Sequence, residues 1–347
     1  MMMQSDVLNI FCYDWSIAES YGRVALELKA GFEARGVHVN CFGNNAPQVP
    51  IKFAFGGIAL GYPTSIEAYG QMFKAGPQVW VTAFESTQLP FLWADILNTS
   101  DAVIVPASFL IDVFKTSGVD TPVFAIPQGV SKVFQPMTRL RKPDDPFTFL
   151  AIADRGRRKG WHHAGFAFKR AFDDDMGYRL ILKAREGGFP PVTNPNFEVI
   201  AADYTDEEMA ALYGRADCFI SPGAEGFGLP GREFAATGGV TLALDWGGTA
   251  DSLTHWGLPI RANMVSAWKD HPRHKGVGEW GEADIDDLAR TMRMVADHRN
   301  YWSRWAAQNS RWVRFSYDWR DYANQVYAVW QEAVSKHGER GIRAAVS

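Results

Sequence analysis

Two glutamates, Glu225 and Glu233, stand eight positions apart in the stretch Ser-Pro-Gly-Ala-Glu-Gly-Phe-Gly-Leu-Pro-Gly-Arg-Glu-Phe at 221–234. The apolar run 218–220 precedes it, and Pro230 presets φ for a helix start, so the pattern predicts a buried strand, a glycine loop and a helix N-terminus. Such a junction offers free backbone N–H groups and the positive end of a helix dipole, and glycine lets the backbone approach an anion closely. Phosphate is the natural ligand. Carboxylates repel phosphate but accept hydrogen bonds from hydroxyls. A molecule with a diphosphate in the middle and a polyol at each end suits both features, and that describes a nucleotide sugar. A second cluster, Asp-Arg-Gly-Arg-Arg-Lys-Gly at 154–160, follows a strand predicted at 147–153. Cations at a helix start oppose the helix dipole, so a gripped anion explains them better than solubility does.

The segment from Glu225 to Glu233 resembles the Glu-(seven residues)-Glu signature of retaining glycosyltransferases of family 4, with its glycines and proline in place. The resemblance implies an α/β protein of the GT-B fold, with two Rossmann-like domains facing across a cleft and a C-terminal helix crossing back to the N-terminal domain. It divides the chain into an acceptor-side domain at 1–137, joined by the last helix at about 317–345, and a donor domain at 146–316. Carried over by motif, Arg155 and Lys159 grip the donor diphosphate, with Arg158 as the substitute because the spacing is shorter than in many members. Glu225 holds sugar hydroxyls and Glu233 the ribose, the backbone at Gly226, Phe227, Gly228 and Leu229 faces the phosphates, and Tyr204 borders the base. The resemblance also implies attack on the face from which the diphosphate departs, with a donor phosphate oxygen taking the acceptor's proton. No protein base is assigned, and neither a metal nor a cofactor is expected beyond the nucleotide sugar itself.

Several positions depart from the family pattern. Ile-Pro-Gln-Gly-Val at 126–130 has Gln128 where asparagine is usual, and Gly-Gly-Thr-Ala-Asp at 247–251 ends in Asp251 rather than glutamate. The first loop, 14–22, keeps only Gly22. Asp14 in that loop is either an acceptor contact or a strand-end acid. Phe-Glu-Ser at 84–86 stands where members often carry a histidine, so Glu85 either takes over that role or closes a strand. Gly226-x-Gly228-x-x-Gly231 also spells the dinucleotide fingerprint, with Asp245 as its ribose acid, which makes a nicotinamide enzyme one rival. In that fold the strand runs almost directly into the first glycine, whereas Ser-Pro-Gly-Ala-Glu intervenes here. A catalytically silent donor-binding module is the other rival.

At 347 residues the chain exceeds the size at which single cores stop growing, which predicts two domains. Hydrophobic residues make up 47%, and 35 basic side chains face 39 acidic ones. Residues 1–137 hold 7 Lys and Arg against 11 Asp and Glu, which leaves 28 of each sign in the remainder. That acidic first half disfavours nucleic acid as the acceptor; a glycan, lipid head group, protein or small metabolite stays open. Cys12, Cys41 and Cys218 sit far apart in apolar runs and read as reduced core thiols. The start, Met-Met-Met-Gln-Ser-Asp, has no charged leader, and no run is long enough to span a membrane, so a cytoplasmic location is expected.

Apolar runs predict strands at 7–13, 37–42, 78–83, 102–105, 123–126, 147–153, 178–184, 197–202, 218–220 and 240–245. Helical patterns fall between them at 21–35, 89–97, 109–117, 161–172 and 206–216, the last capped by Thr205 or Asp206. This alternation predicts parallel sheets. Residues 139–146 have linker composition, and from about 283 the chain is helical, with Trp302, Trp305, Trp312, Trp319 and Trp330 as packing residues. Asp173, Asp174 and Asp175 follow a helix and read as its solvated exit rather than a metal motif. His162 and His163 are adjacent on a helix and do not share a metal face. His271 and His274 lack a carboxylate or cysteine at ligand spacing.

Overall fold

The computed structural model describes residues 7–17, 19–72, 76–139, 141–142, 144–153, 156–186, 194–267 and 277–346. The chain forms two compact units, one of Met1–Phe84, Gln88–Gly129 and Asp318–Ser347, the other of Glu85–Thr87 and Val130–Tyr317. Among the described residues no helix is long and apolar enough to cross a membrane.

The first unit contains β1 (Val7–Asp14), α1 (Ser20–Glu33), β2 (His38–Asn44), β3 (Gly57–Leu60), α2 (Pro63–Met72), β4 (Gln78–Val81), α3 (Trp93–Leu97), β5 (Ala102–Val105), α4 (Phe109–Thr116) and β6 (Val123–Ala125). Its six strands pair in the order β2-β1-β3-β4-β5-β6, all parallel. The central strands are buried on both faces, which is why they read as continuous apolar runs rather than alternating ones. Phe11, Trp80, Val103 and Val105 pack with Leu110 and Phe114 on one side of the sheet.

The second unit runs β7 (Phe147–Ile152), α5 (Trp161–Phe172), β8 (Tyr178–Ala184), β9 (Phe197–Ala201), α6 (Asp206–Arg215), β10 (Cys218–Ser221), α7 (Leu229–Ala236), β11 (Val240–Leu244), β12 (Leu258–Ile260), β13 (Ala262–Ser266), β14 (Glu279–Ala283), α8 (Ile285–Asp297) and α9 (Arg299–Ser316). Its parallel sheet has the order β12-β11-β10-β7-β8-β9, and β13 with β14 forms a separate antiparallel pair. Phe147, Phe149 and Ala151 of β7 face a core shared with Phe168 and Leu288, while Leu150 faces Tyr213, Phe234 and Val313. Each fully buried side chain of this size contributes about 1.5–3 kcal/mol. The last helix, α10 (Trp319–Val346), belongs to the first unit, where Gly31 of α1 lets Ala323 approach so closely that an added Cβ would meet the Ala323 methyl at 2.4 Å.

Besides the three-residue β12, three features go beyond the sequence pattern. β3 and α2 fill the interval 57–72, where the strand is only four residues long between glycines and gives no sustained period. The β13–β14 pair is joined by a long polar connection rather than a turn signal. The helix expected over 89–97 begins only at Trp93, because Leu92 precedes it with φ +71, outside the helical range.

Candidate functional site

In the second unit the strand order reverses between β7 and β10. Ligands of open parallel sheets bind outside the carboxyl ends of the strands at such a switch point. The loop leaving β7 carries Arg158 and Lys159, and the loop leaving β10 carries Glu225, so topology alone brings the two motifs together. Glycine permits the contact. A Cβ on Gly223 would sit 2.5 Å from the Arg158 carbonyl oxygen, and one on Gly160, at φ +67, would sit 2.8 Å from the Pro222 oxygen. The Ala224 N–H donates to the Arg158 carbonyl at 3.1 Å, and the Arg158 guanidinium donates back to the Ala224 carbonyl.

A cluster of four charges follows. Lys159 Nζ lies 2.7 Å and 3.0 Å from the two oxygens of Glu225. Arg158 Nη1 lies 3.5 Å from Glu225 Oε2 and 3.3 Å from Glu85 Oε1. The four side chains are only 10–21% exposed, so these attractions are screened less than surface pairs. Glu85 is held there by its neighbours: Ser86 Oγ donates to the Val277 carbonyl at 2.6 Å, the Thr87 N–H to Glu279 O at 2.9 Å, and the Glu279 N–H to Thr87 Oγ1 at 2.9 Å. A diphosphate entering this junction would compete with Glu225 for Lys159 and release the carboxylate toward hydroxyl donors.

The glycine loop itself is tied from within. Glu225 O accepts from the Gly248 N–H at 2.8 Å, and a Cβ on Gly248 would lie 2.1 Å from Gly226 O. Gly228 takes φ +84 at the N-cap of α7, a left-handed conformation suited to glycine. Among the described residues, the N–H groups of Gly226, Phe227 and Gly228 donate to no protein acceptor. The Phe227 side chain faces the core, and Leu229, partly buried, packs against that core. Glu233 is buried and accepts from the Tyr213 hydroxyl at 3.1 Å. Arg232, at 0% exposure, donates to the carbonyls of Phe227, Gly248 and Asp251, and burial holds its pKa below the usual guanidinium value against the opposing influence of Tyr317.

The structure thus gathers Arg158, Lys159, Glu225 and Glu85 into one network and strings Gly226, Phe227, Gly228, Leu229 and Glu233 along the adjoining loop and helix. Tyr204, between β9 and α6, packs against the core cluster that also takes Ile152, Phe227 and Leu229, with the buried Lys183 ammonium 4.6 Å from its ring centre. Asp14 belongs to the first unit and closes its own loop: it accepts from Asn45 Nδ2 at 3.0 Å and the Ser16 N–H at 2.8 Å, and these bonds, Asn45's the larger influence, lower its pKa. Arg155, His271 and His274 lie outside the described residues. Arg232, Tyr213 and Lys183 are absent from the sequence reading. A cation in the first turn of α7 opposes the helix dipole, and that signal, already used for 154–160, singles out Arg232.

Among the described residues no group of three or more His, Cys, Asp or Glu is placed to hold a metal ion. Asp173, Asp174 and Asp175 are exposed at the exit of α5. A concavity of about 480 Å³ lies elsewhere in the second unit, lined by His163, Arg170, Asn263, Glu282 and Asp284, and dwarfs the pocket of about 20 Å³ between Lys159, Ser221, Glu225 and Pro230. Convergence of charge and loop amides, not volume, makes the smaller one the candidate site.

Three solved structures share this architecture. Sucrose-phosphate synthase from Thermosynechococcus elongatus matches with a TM-score of 0.73 at 15% identity, over 95% of this chain and 99% of that one. Anabaena HepE in complex with UDP and glucose matches at 0.67 and 10% identity, over 94% and 99%. A UDP-forming α,α-trehalose-phosphate synthase from Burkholderia xenovorans matches at 0.58 and 13% identity, over 81% and 74%. At these identities the likeness carries the fold, which is GT-B with two parallel six-stranded sheets. No protein-family model and no curated protein sequence matches the chain.

Proposed function

We propose that this protein is a retaining glycosyltransferase of family 4 type that moves a sugar from a nucleoside-diphosphate sugar to an acceptor hydroxyl without a metal ion. One observation carries the reading: Arg158, Lys159 and Glu225 meet at the switch point beside a loop whose N–H groups at 226–228 have no protein acceptor among the described residues. Cations and amides are what a departing diphosphate requires as charge builds on it. HepE is solved with UDP-glucose, which supports a UDP-sugar as the first donor to try.

In this reading the C1–O bond to the diphosphate breaks while the acceptor oxygen bonds to C1 from the same face. The acceptor's proton passes to a donor phosphate oxygen, and the products are a glycoside and a nucleoside diphosphate. Lys159 and Arg158 hold the leaving group, Glu225 orients sugar hydroxyls and Glu233 the ribose. The three cysteines are free and buried, which fits a reducing compartment such as the cytoplasm. Release of UDP from UDP-glucose with EDTA present, and NMR of the anomer formed, test the proposal. Retained α configuration with EDTA-insensitive turnover is expected; an inverted product, or activity abolished by EDTA and restored by a divalent ion, overturns it.

A further inference from the structure

A fully buried guanidinium lies beneath the loop that would receive the phosphates. Arg232 Nη1 donates to the Phe227 carbonyl, and Nη2 donates to Gly248 O at 2.8 Å and Asp251 O at 3.2 Å. The rings of Phe227, Trp256 and Tyr317 surround its Cζ at 4.1, 4.5 and 5.0 Å. Removing a cation from water is expensive, and an apolar side chain of similar volume is often the more stable choice at such a position. Packing alone therefore explains the arginine poorly.

Peptide geometry supplies the reason. A trans peptide is planar, with each carbonyl antiparallel to the N–H of the next residue. Pulling the Phe227 carbonyl inward onto Arg232 turns the Gly228 N–H the opposite way, away from the core. The bond from the Gly248 N–H to Glu225 O does the same for the Gly226 N–H. The carbonyls of Glu225 and Phe227 are thus both bonded from behind, which turns the Gly226 and Gly228 N–H groups away from those partners, and Gly228 takes the left-handed φ of +84. The Gly248 carbonyl is held by the same guanidinium, so one side chain fixes both the loop and the turn that braces it.

We propose that Arg232 is a positioning residue for the donor phosphates, setting the direction of the Gly228 N–H without touching the ligand. The ligand's identity rests on the function proposed above; the ordering of the loop does not. The same side chain reaches the place where the chain leaves the second unit: Tyr317, whose ring meets Phe227 edge-on at 5.6 Å, accepts the Val130 N–H at 2.9 Å through its carbonyl.

Hydrogen exchange of the full chain, with no ligand added, reads the loop directly, and calorimetry with UDP reads its consequence. Arg232→Lys and Arg232→Met are compared with Arg139→Lys, a change at a partly buried arginine that donates to the Ala216 carbonyl after α6 and to the Thr237 carbonyl at the far end of α7. In both Arg232 variants the Gly248 amide, whose bond to Glu225 O ties the turn at Gly248 to the loop, is expected to exchange at least about tenfold faster and UDP to bind about tenfold more weakly. Arg139→Lys is expected to lower the thermal midpoint while leaving both readouts within about twofold. Unchanged Gly248 exchange in both Arg232 variants, or an equal change in Arg139→Lys, overturns the proposal. Should Arg232→Met fail to fold, Arg232→Lys, which keeps the charge, decides by itself. If the parent protein does not bind UDP, the donor reading fails while the exchange data still judge Arg232.

Discussion

The loops leaving β1 and β10 each lie at the carboxyl end of a strand that flanks the order reversal of its own parallel sheet, yet their polar groups are spent in opposite ways. After β1 the loop satisfies itself: Asp14 takes the Ser16 and Asn45 donors, the Trp15 N–H goes to Asn44 O, and Gly22 lets the first turn of α1 close over the Ser16 carbonyl. After β10 it is the carbonyls that are tied down, by Arg232 and by the Gly248 N–H, and the amides at 226–228 that are left over. The two strand ends differ in the disposal of their carbonyls, not in glycine content alone.

The widest gap between the two loops should open when the charges beside the second are removed. Lys159→Ala and Glu225→Gln are each expected to lower the rate of UDP release about 10²–10³-fold, as loss of a preorganised group at developing charge does, with thermal stability nearly retained. A rate within threefold of the parent would remove the reason for calling the β10 loop the site. A smaller effect is expected of Gly228→Ala. Its φ of +84 strains any side chain by about 1–2 kcal/mol, and the new Cβ would lie 2.7 Å from Thr249 Cγ2. UDP affinity should drop about tenfold in a calorimetric titration.

Gly22→Ala sharpens the contrast from the other side. The added Cβ would meet Ser16 O at 2.2 Å, so the first unit should lose about 1–3 kcal/mol in a urea unfolding series while UDP affinity stays within twofold. The smallest effect is that of Asp14→Asn. Because Asp14's folded pKa is depressed, its contribution is present above the ordinary carboxylate pKa of about 3.9 and is lost as pH falls through the lower folded value. The variant should therefore unfold less steeply on acidification and match the parent in UDP binding; superimposable acid limbs would show that Asn45 and Ser16 do not hold the charge.

Local signals made much of this visible in the sequence. The continuous apolar run of β5 marks a strand buried on both faces, and Thr205 with Glu208 three residues later closes a full capping box on α6. The junction at 221–234 was legible because strand, glycines, proline and acids are contiguous. What escaped is long-range. Glu85 meets Arg158 across 73 positions, an encounter no window reveals, and β13 and β14 are separated by too polar a stretch to read as a hairpin. Arg232 looks like a surface cation on a helix and is instead enclosed by Phe227, Trp256 and Tyr317, the last from 85 positions away.

Thermal shift with UDP-, GDP-, ADP- and dTDP-sugars and with NAD(H), with and without EDTA, in the parent and in Lys159→Ala, decides whether Lys159 and its neighbours receive a nucleotide diphosphate. Ligand at a hundred times its dissociation constant adds about 2.7 kcal/mol of apparent stability, enough for a clear rise in midpoint. The expected result is stabilisation by one class of nucleotide sugar, indifferent to EDTA and lost in Lys159→Ala. Stabilisation by NAD(H) alone, or by a nucleotide sugar equally in parent and variant, would contradict it.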